Sequence, residues 1–451
     1  MEKKVIIVGA GLAGSEAAWQ LATRGVAVQL LEMRPQRMSK AHRSSQCAEL
    51  VCSNSLRGAA LTNAVGLLKE ELKLLGSLIL EAALATQVPA GGALAVDRER
   101  FSAYVDEKIR SHPLIEMSTT EVTAIPEASA ETPVIVATGP LTSESLARSI
   151  MQKTGAERLA FFDAISPILL NESLDHSKLV RQSRYEKGGG DDYLNIFLDE
   201  EQYRSFVEMV DKGEKFGGHD EVESDMVDNL RPFEGCMPIE EMVSRGHDTL
   251  RFGPMKPVGL EDPKTGKRPH AAVQLRQEDK EGYRWSMVGF QTKLKHPEQM
   301  RIFRTLPGLE KAEFVRLGSV HRNTFIDSPR CLLPTLQLKS DPALLFAGQL
   351  TGVEGYVEST AGGFVAAASA WELLHGKQPT AFPEDTAIGS LIRYISNPEI
   401  KNFQPMNISF GLMNSYLAQP FDRKTGKDGR RLACSQQALA SLTQFKSLLF
   451  T

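Results

Sequence analysis

The run VIIVGAGLAG at Val5–Gly14 constrains this chain more than any other feature: a β-branched apolar strand leads straight into G-x-G-x-x-G, and a helical pattern follows to about Arg24. Each glycine has a separate task. Gly9 permits the tight turn, Gly11 lets the backbone approach a pyrophosphate, and Gly14 lets the helix pack on the strand. Ala10, Leu12 and Ala13 complete the loop, whose free amides at a helix N-terminus favour phosphate charge. A second strand over Val26–Leu31 closes a βαβ unit and delivers Glu32, whose carboxylate suits the ribose hydroxyls of an adenosine and disfavours NADP. The opening segment therefore predicts a dinucleotide site, with FAD and NAD both open at this point.

Two later segments read as further pieces of the same sheet. PVIVATG ends in a turn at Gly139, and LLFAG ends in another at Gly348, roughly two hundred residues on. The stretch after Glu358 reads as a helix start, with small residues including Thr360 able to bring backbone amides near a flavin. A dinucleotide domain built in two pieces favours bound FAD. With no second G-x-G-x-x-G in the chain, a nicotinamide donor, NADH or NADPH, is expected only as a transient visitor. The expected fold is α/β: a Rossmann-like FAD-binding domain in two parts, 1–145 and 331–451, the latter ending in a helical tail. An α+β insertion is expected over 146–330.

Composition narrows the class. At 451 residues, 42% hydrophobic and 24% charged, the chain is long enough for two cores and too apolar to be disordered. Net charge is −4, so an RNA partner must be met by a local basic patch. Such patches are available: Met242–Thr305 carries 13 bases against 7 acids and Thr386–Thr451 carries 8 against 3, whereas Glu186–Glu241 carries 17 acids against 5 bases. No apolar run reaches the roughly 18 residues of a membrane span. The glycines at 9, 11 and 14 mark the N-terminal apolar run as a strand rather than a signal peptide. Five cysteines without a C-x-x-C pair argue against a disulfide framework and a structural metal, and for a reducing cytoplasm.

Two of those cysteines have chemical context. Cys52 lies in LVCSNSLRG, near Arg57 and before a helix expected from about Thr62, surroundings that favour a thiolate. Cys236 lies in FEGCMPIEEM between turn residues Gly235 and Pro238, although Glu234, Glu240 and Glu241 would oppose its ionisation. Cys47, Cys331 and Cys434 have no comparable setting.

Taken together, VIIVGAGLAGSEAAWQLA, CSNSLRG, ATGPLTS, FEGCMPIEEM, TLRFGPMKPVGL, AVQLRQED, VGFQT, HRNTF and AGQLTGVEGYVEST resemble the folate- and FAD-dependent tRNA (uracil-5-)-methyltransferases, the TrmFO family, over nearly the whole chain. Members often carry YLNCP where this chain has Ile196 and Phe197 in YLNIF, so no role for a cysteine there carries over.

The resemblance implies a reaction. A thiolate adds to uracil carbon-6, carbon-5 then attacks the methylene of 5,10-methylenetetrahydrofolate, and reduced FAD, regenerated by NAD(P)H, supplies two electrons. By the same resemblance Cys236 is the carbon-6 nucleophile and Cys52 its partner, handling the methylene or returning a proton. Tyr356 is a candidate for stacking a pterin or uracil, and Arg251, Lys256, Arg276, Lys293, His321 and Arg322 for phosphates or folate carboxylates. The resemblance makes the 146–330 insertion the RNA and folate side, and the expected product is 5-methyluridine at position 54 in the tRNA T-loop. Alternatives are the same chemistry on ribosomal RNA, a related wobble-uridine-modifying flavoprotein, and an RNA-binding scaffold with structural FAD.

Overall fold

In the computed structural model, residues 3–39, 41–155, 159–216, 237–419 and 426–451 are described, without the side chains of 159–164 and 320–322. The strand Lys4–Val8 lies near the middle of a six-stranded sheet, pairing in parallel with Ala27–Glu32 on one side and Val134–Val136 on the other. Ile115–Thr119 extends the sheet beyond Ala27–Glu32, and Asp341–Phe346 extends it beyond Val134–Val136, both in parallel. Gln337–Leu338 adds an antiparallel edge. Val5, Ile7, Val134, Ile135, Val136, Leu344, Leu345 and Phe346 are all fully buried, so these strands read as continuous apolar runs, as parallel strands covered on both faces do.

The covering comes from two helices that are distant in sequence. Leu12–Ala22 follows the glycine turn, and Tyr356–Leu374 packs along it. Their approach depends on small residues: a Cβ on Gly363 would sit 2.2 Å from the Ala13 carbonyl oxygen. The return helix begins at Tyr356, three residues ahead of Ser359, where its small-residue stretch suggested a start.

A second sheet of six antiparallel strands runs in the order Val180–Arg181, Tyr193–Leu198, Ala271–Gln277, Arg284–Met287, Ile168–Leu170, Phe314–Arg316. Helices Glu200–Lys212, Ile239–Ser244 and His296–Phe303 supply side chains to its own core, which includes Ile196, Tyr203, Phe206, Trp285, Phe290 and Phe303. Ile196 is fully buried there, which gives the YLNIF variant a packing role. The backbone leaves and re-enters the first sheet's side through the antiparallel ribbon of Leu159–Ile165 with Ser319–Phe325.

Ion pairs join the two bodies. Arg98 meets Glu278 at 2.7 Å, Arg284 meets Glu99 at 2.5 Å, and Arg100 pairs with Glu281. The helix Arg98–Ser111 starts here because Asp97 caps it, accepting from the Arg100 amide at 3.0 Å, while its other oxygen accepts from the Lys280 amide at 3.0 Å.

Candidate active site

Construction of the site begins at the glycine turn. Gly9 has φ of +102°, and a Cβ there would lie 2.6 Å from the Ala137 carbonyl oxygen. At Gly14 a Cβ would fall 1.8 Å from the Gly9 carbonyl oxygen, so any side chain would force the helix off the strand. Gly11 differs: nothing lies within 4 Å of its Cβ position. The open space lies at the residue that starts the helix, and Gly11 provides no side-chain cap. Gly11 therefore offers no side-chain acceptor to the first-turn amides, the donor set a pyrophosphate needs.

Glu32 is 5% exposed and braces the turn: its Oε2 accepts from the Ala10 amide at 2.8 Å, and its Oε1 accepts from the Arg34 amide at 3.1 Å and Arg34 Nε at 2.9 Å. Burial alone would raise this carboxyl, but the Arg34 bonds and charge outweigh it and hold Glu32 below the usual carboxylate range. Arg34 in turn donates to the Ser44 carbonyl at 3.2 Å and to Glu49 at 3.3 Å. The bonding of the Glu32 carboxylate leaves acceptor capacity for ribose hydroxyls. Gly139 and Gly348 both take positive φ at the ends of their strands, and Thr360 donates to the Tyr356 carbonyl at 2.8 Å inside the return helix. With Gly11 open and the helix start uncapped, these residues fit the FAD pyrophosphate and ribose.

Cys52 is half-buried in a loop held at nearly every residue. Arg98 Nη1 donates to the Leu50 carbonyl at 2.6 Å, and Arg316 Nη1 donates to the Val51 carbonyl at 2.8 Å. The Tyr356 hydroxyl accepts from the Cys52 amide at 2.8 Å and the Ser53 amide at 3.0 Å. Arg276 donates to Ser53 Oγ at 2.8 Å and Asn54 Oδ1 at 2.9 Å, while Asn54 Nδ2 donates to the Val96 and Gln277 carbonyls, each at 2.9 Å. Ser53 and Ser55 hydroxyls accept from amides two residues on, at 3.1 and 3.0 Å, as serine-rich turns do. Burial lowers and Glu278 raises the Arg98 guanidinium, with a net upward shift to which Tyr356 and Cys52 add.

Other residues named from sequence have distinct settings. The helix expected from about Thr62 runs Ala64–Leu74. Arg57 pairs with buried Glu358 at the start of the return helix. Arg276 is itself buried and faces the Cys52 loop. Arg251 Nε donates to the His270 carbonyl at 3.0 Å, Lys256 is exposed, and Lys293 pairs with Glu241. Cys236 lies outside the described residues, and so do the side chains of His321 and Arg322. Arg98 and Arg316 were missed, because isolated polar residues in DRERF and FVRLG carry no motif signal, and Asn54 and Glu278 were missed although they lie within CSNSLRG and AVQLRQED. Arg34 was missed too; its place two residues after Glu32, to which it is joined, is the signal that could have found it. Among the described residues no group of His, Cys, Asp and Glu could hold a metal, and no helix is long and apolar enough to cross a membrane.

The family model described as glucose inhibited division protein A matches residues 4–378. The methylenetetrahydrofolate–tRNA-(uracil-5-)-methyltransferase TrmFO of Geobacter sulfurreducens is 56% identical over 98% of this chain and 98% of its own length, and that of Geotalea uraniireducens is 56% identical over 100% of both. The chain belongs to the TrmFO family. Among solved structures, Aquifex aeolicus GidA in its form II crystal superposes on this TrmFO-family chain with a TM-score of 0.70 over 99% of it and 73% of GidA, at 18% identity. The form I crystal gives 0.67 over 98% and 76%, at 17% identity. That likeness concerns the fold, and it agrees with the Rossmann-like, FAD-binding α/β architecture expected for a TrmFO-family member.

Proposed function

We infer that this protein is a methylenetetrahydrofolate-dependent tRNA (uracil-5-)-methyltransferase that makes 5-methyluridine at position 54 of the T-loop, with NAD(P)H reducing its flavin. The observation that carries this reading is identity of 56% over essentially full length with relatives bearing that name. The glycine turn and the anchored Cys52 loop support it from within the chain. The finer elements, namely the nucleotide position, the nicotinamide donor, a cytoplasmic location and the division at 145 and 330, belong to the same proposal.

First-turn amides of Gly11–Gly14 would hold the FAD pyrophosphate, and Glu32 the adenosine ribose. Bound FAD, once reduced, supplies the two electrons that separate a methylene from a methyl group. Cys236 attacks uracil carbon-6, forming an S–C bond that makes carbon-5 nucleophilic towards the methylene. Cys52 handles the methylene or returns a proton. Reaching the base requires turning it out of the tRNA stack, and the segment of Arg251 and Lys256, with Phe252 between them 83% exposed, supplies cations and an aromatic face for the RNA.

The test uses tRNA carrying 5-fluorouracil at the target. Carbon-5 then bears no removable proton, so the addition product persists as a protein–RNA adduct through denaturation. Cys236→Ala is expected to abolish the adduct and Cys52→Ala to retain it. The reverse pattern exchanges the two thiols, and an adduct in both variants removes thiol addition altogether. Loss of 5-methyluridine from the RNA of cells lacking the gene, mapped by mass spectrometry, tests the position.

A further inference from the structure

Tyr185 and Glu186 both take the left-handed backbone conformation, with φ of +57° and +54°. A bulky residue there is a strained outlier that persists only where its surroundings over-determine it. Here they do. From the preceding residue, Arg184 Nε donates to Gln274 Oε1 at 2.7 Å, and Arg184 Nη1 donates to the Lys256 carbonyl and, at 3.1 Å, to the Val258 carbonyl. The Tyr185 amide donates to the Gly259 carbonyl at 3.0 Å, and the Glu186 amide to the Ser183 carbonyl at 3.2 Å. This bracing fixes an aromatic ring with two unlike faces. A Cβ on Gly259 would stand 2.9 Å from Cζ and 3.0 Å from each Cε of Tyr185, near-equal distances that put it over the face of the ring. One face therefore lies flat on glycine backbone, while the residue as a whole is 61% exposed, so the other face is open to solvent. Core packing does not account for the strained backbone, because most of the side chain stays in water.

The ring's place in the fold points to its partner. Gln274 and Arg276 are two residues apart on the strand Ala271–Gln277, so they share one face of the second sheet and stand about 7 Å apart along it. On that face Arg276 holds Ser53 and Asn54 beside Cys52, and Gln274 holds Arg184. Tyr185 thus belongs to the sheet face that looks onto the Cys52 loop, and RNA bringing a uracil to Cys52 passes it. Exposed Lys187 and Lys256, on the segments that meet at the ring, are balanced there by exposed Glu186 and Glu261. The surface therefore offers a ring face and not a phosphate cradle.

We propose that Tyr185 is an RNA-stacking residue, whose open ring face receives an unpaired base of the tRNA when the loop carrying the target uridine is unstacked. The inference rests on the reading that this protein methylates tRNA, and it assigns a residue that holds the opened loop beside the site.

The test is tRNA binding by the FAD-loaded enzyme across a salt series. Tyr185→Leu is expected to weaken affinity by about five- to a hundredfold with the salt slope unchanged, because stacking adds affinity without releasing counterions. Tyr185→Trp is expected to stay within about twofold of wild type. Wild-type affinity in Tyr185→Leu, or the same loss in Tyr185→Leu and Tyr185→Trp, would overturn the proposal; wild-type affinity joined to a raised KM for methylenetetrahydrofolate would give the ring to the pterin instead. A measurement on the unaltered protein guards against a variant that fails to fold or bind flavin. There, tRNA carrying 5-iodouridine at each unpaired T-loop position in turn is irradiated in the complex, and peptide mass spectrometry is expected to find RNA attached to Tyr185 from at least one position. No attachment to Tyr185 from any position would also overturn it. A wild-type enzyme that transfers no methyl group to tRNA would refute the underlying reading, whereas normal transfer with unaltered binding by Tyr185→Leu would refute this inference alone, so the two failures are distinguishable.

Discussion

Tyr356 and Cys52 stand 304 positions apart in the chain, yet the Tyr356 hydroxyl accepts the Cys52 amide at 2.8 Å and the Ser53 amide at 3.0 Å. The start of the return helix thereby holds the thiol's backbone. Tyr356→Phe leaves both amides without this acceptor in a partly buried setting, at a cost of about 1–3 kcal/mol. Hydrogen exchange at those two amides is expected to accelerate while flavin content stays unchanged. Unchanged protection would show that other contacts hold the loop.

The glycine turn predicts two opposite phenotypes from neighbouring positions. Gly11→Val adds a side chain into open space, with φ of −72° already acceptable for it, so the apoprotein is expected to melt normally yet lose FAD. In Gly14→Ala the methyl group meets the Gly9 carbonyl, so the fold itself is expected to suffer. Full flavin occupancy in Gly11→Val, read from visible absorbance, would put the phosphate elsewhere.

Two buried carboxyls predict a pH dependence of stability. Burial raises Glu16 to about 7 against its bonds from the Ile79 amide, Ser77 and Gln20, and raises Glu71 to about 8 against its bonds from the Ala387 and Ile388 amides. The folded state thus keeps protons that the unfolded chain releases near 4.5, so this contribution is complete below that pH and is lost as pH rises through 7 to 8. The melting temperature is expected to fall over this range by a few degrees, and the Glu16→Gln, Glu71→Gln double variant to flatten that slope. An unchanged slope in calorimetry would assign the pH dependence to other groups.

Charge reversal at Arg251 and Lys256 together is expected to weaken tRNA binding and reduce its salt dependence, with FAD retained, because each phosphate contact releases counterions. Filter binding across a salt series checks this. Unchanged affinity would move the RNA to another face.

The dinucleotide turn was legible because its chemistry is local: strand, glycines and helix start within ten residues, and Glu32 follows at the next strand end. Cys52 and Cys236 stood out by their charged and turn-forming neighbours, but roles for them came only through family resemblance, since a single thiol carries no spacing signal. The sequence offered Arg276 and Tyr356 as candidate substrate contacts; that folding turns the Arg276 guanidinium and the Tyr356 hydroxyl onto the Cys52 loop was not legible in it.

What the sequence determined by itself was therefore the nucleotide-binding βαβ unit and the kinship, and it named the candidate reaction thiols. What tertiary structure decided was the company Cys52 keeps: Arg98 from a helix start, Arg316 from the edge of a second sheet and Tyr356 from the return helix. The physical reason is range. Backbone turns and helix starts are encoded by neighbours a few residues away, while the charges and hydrogen bonds around a thiol come from segments brought together by burying two separate cores.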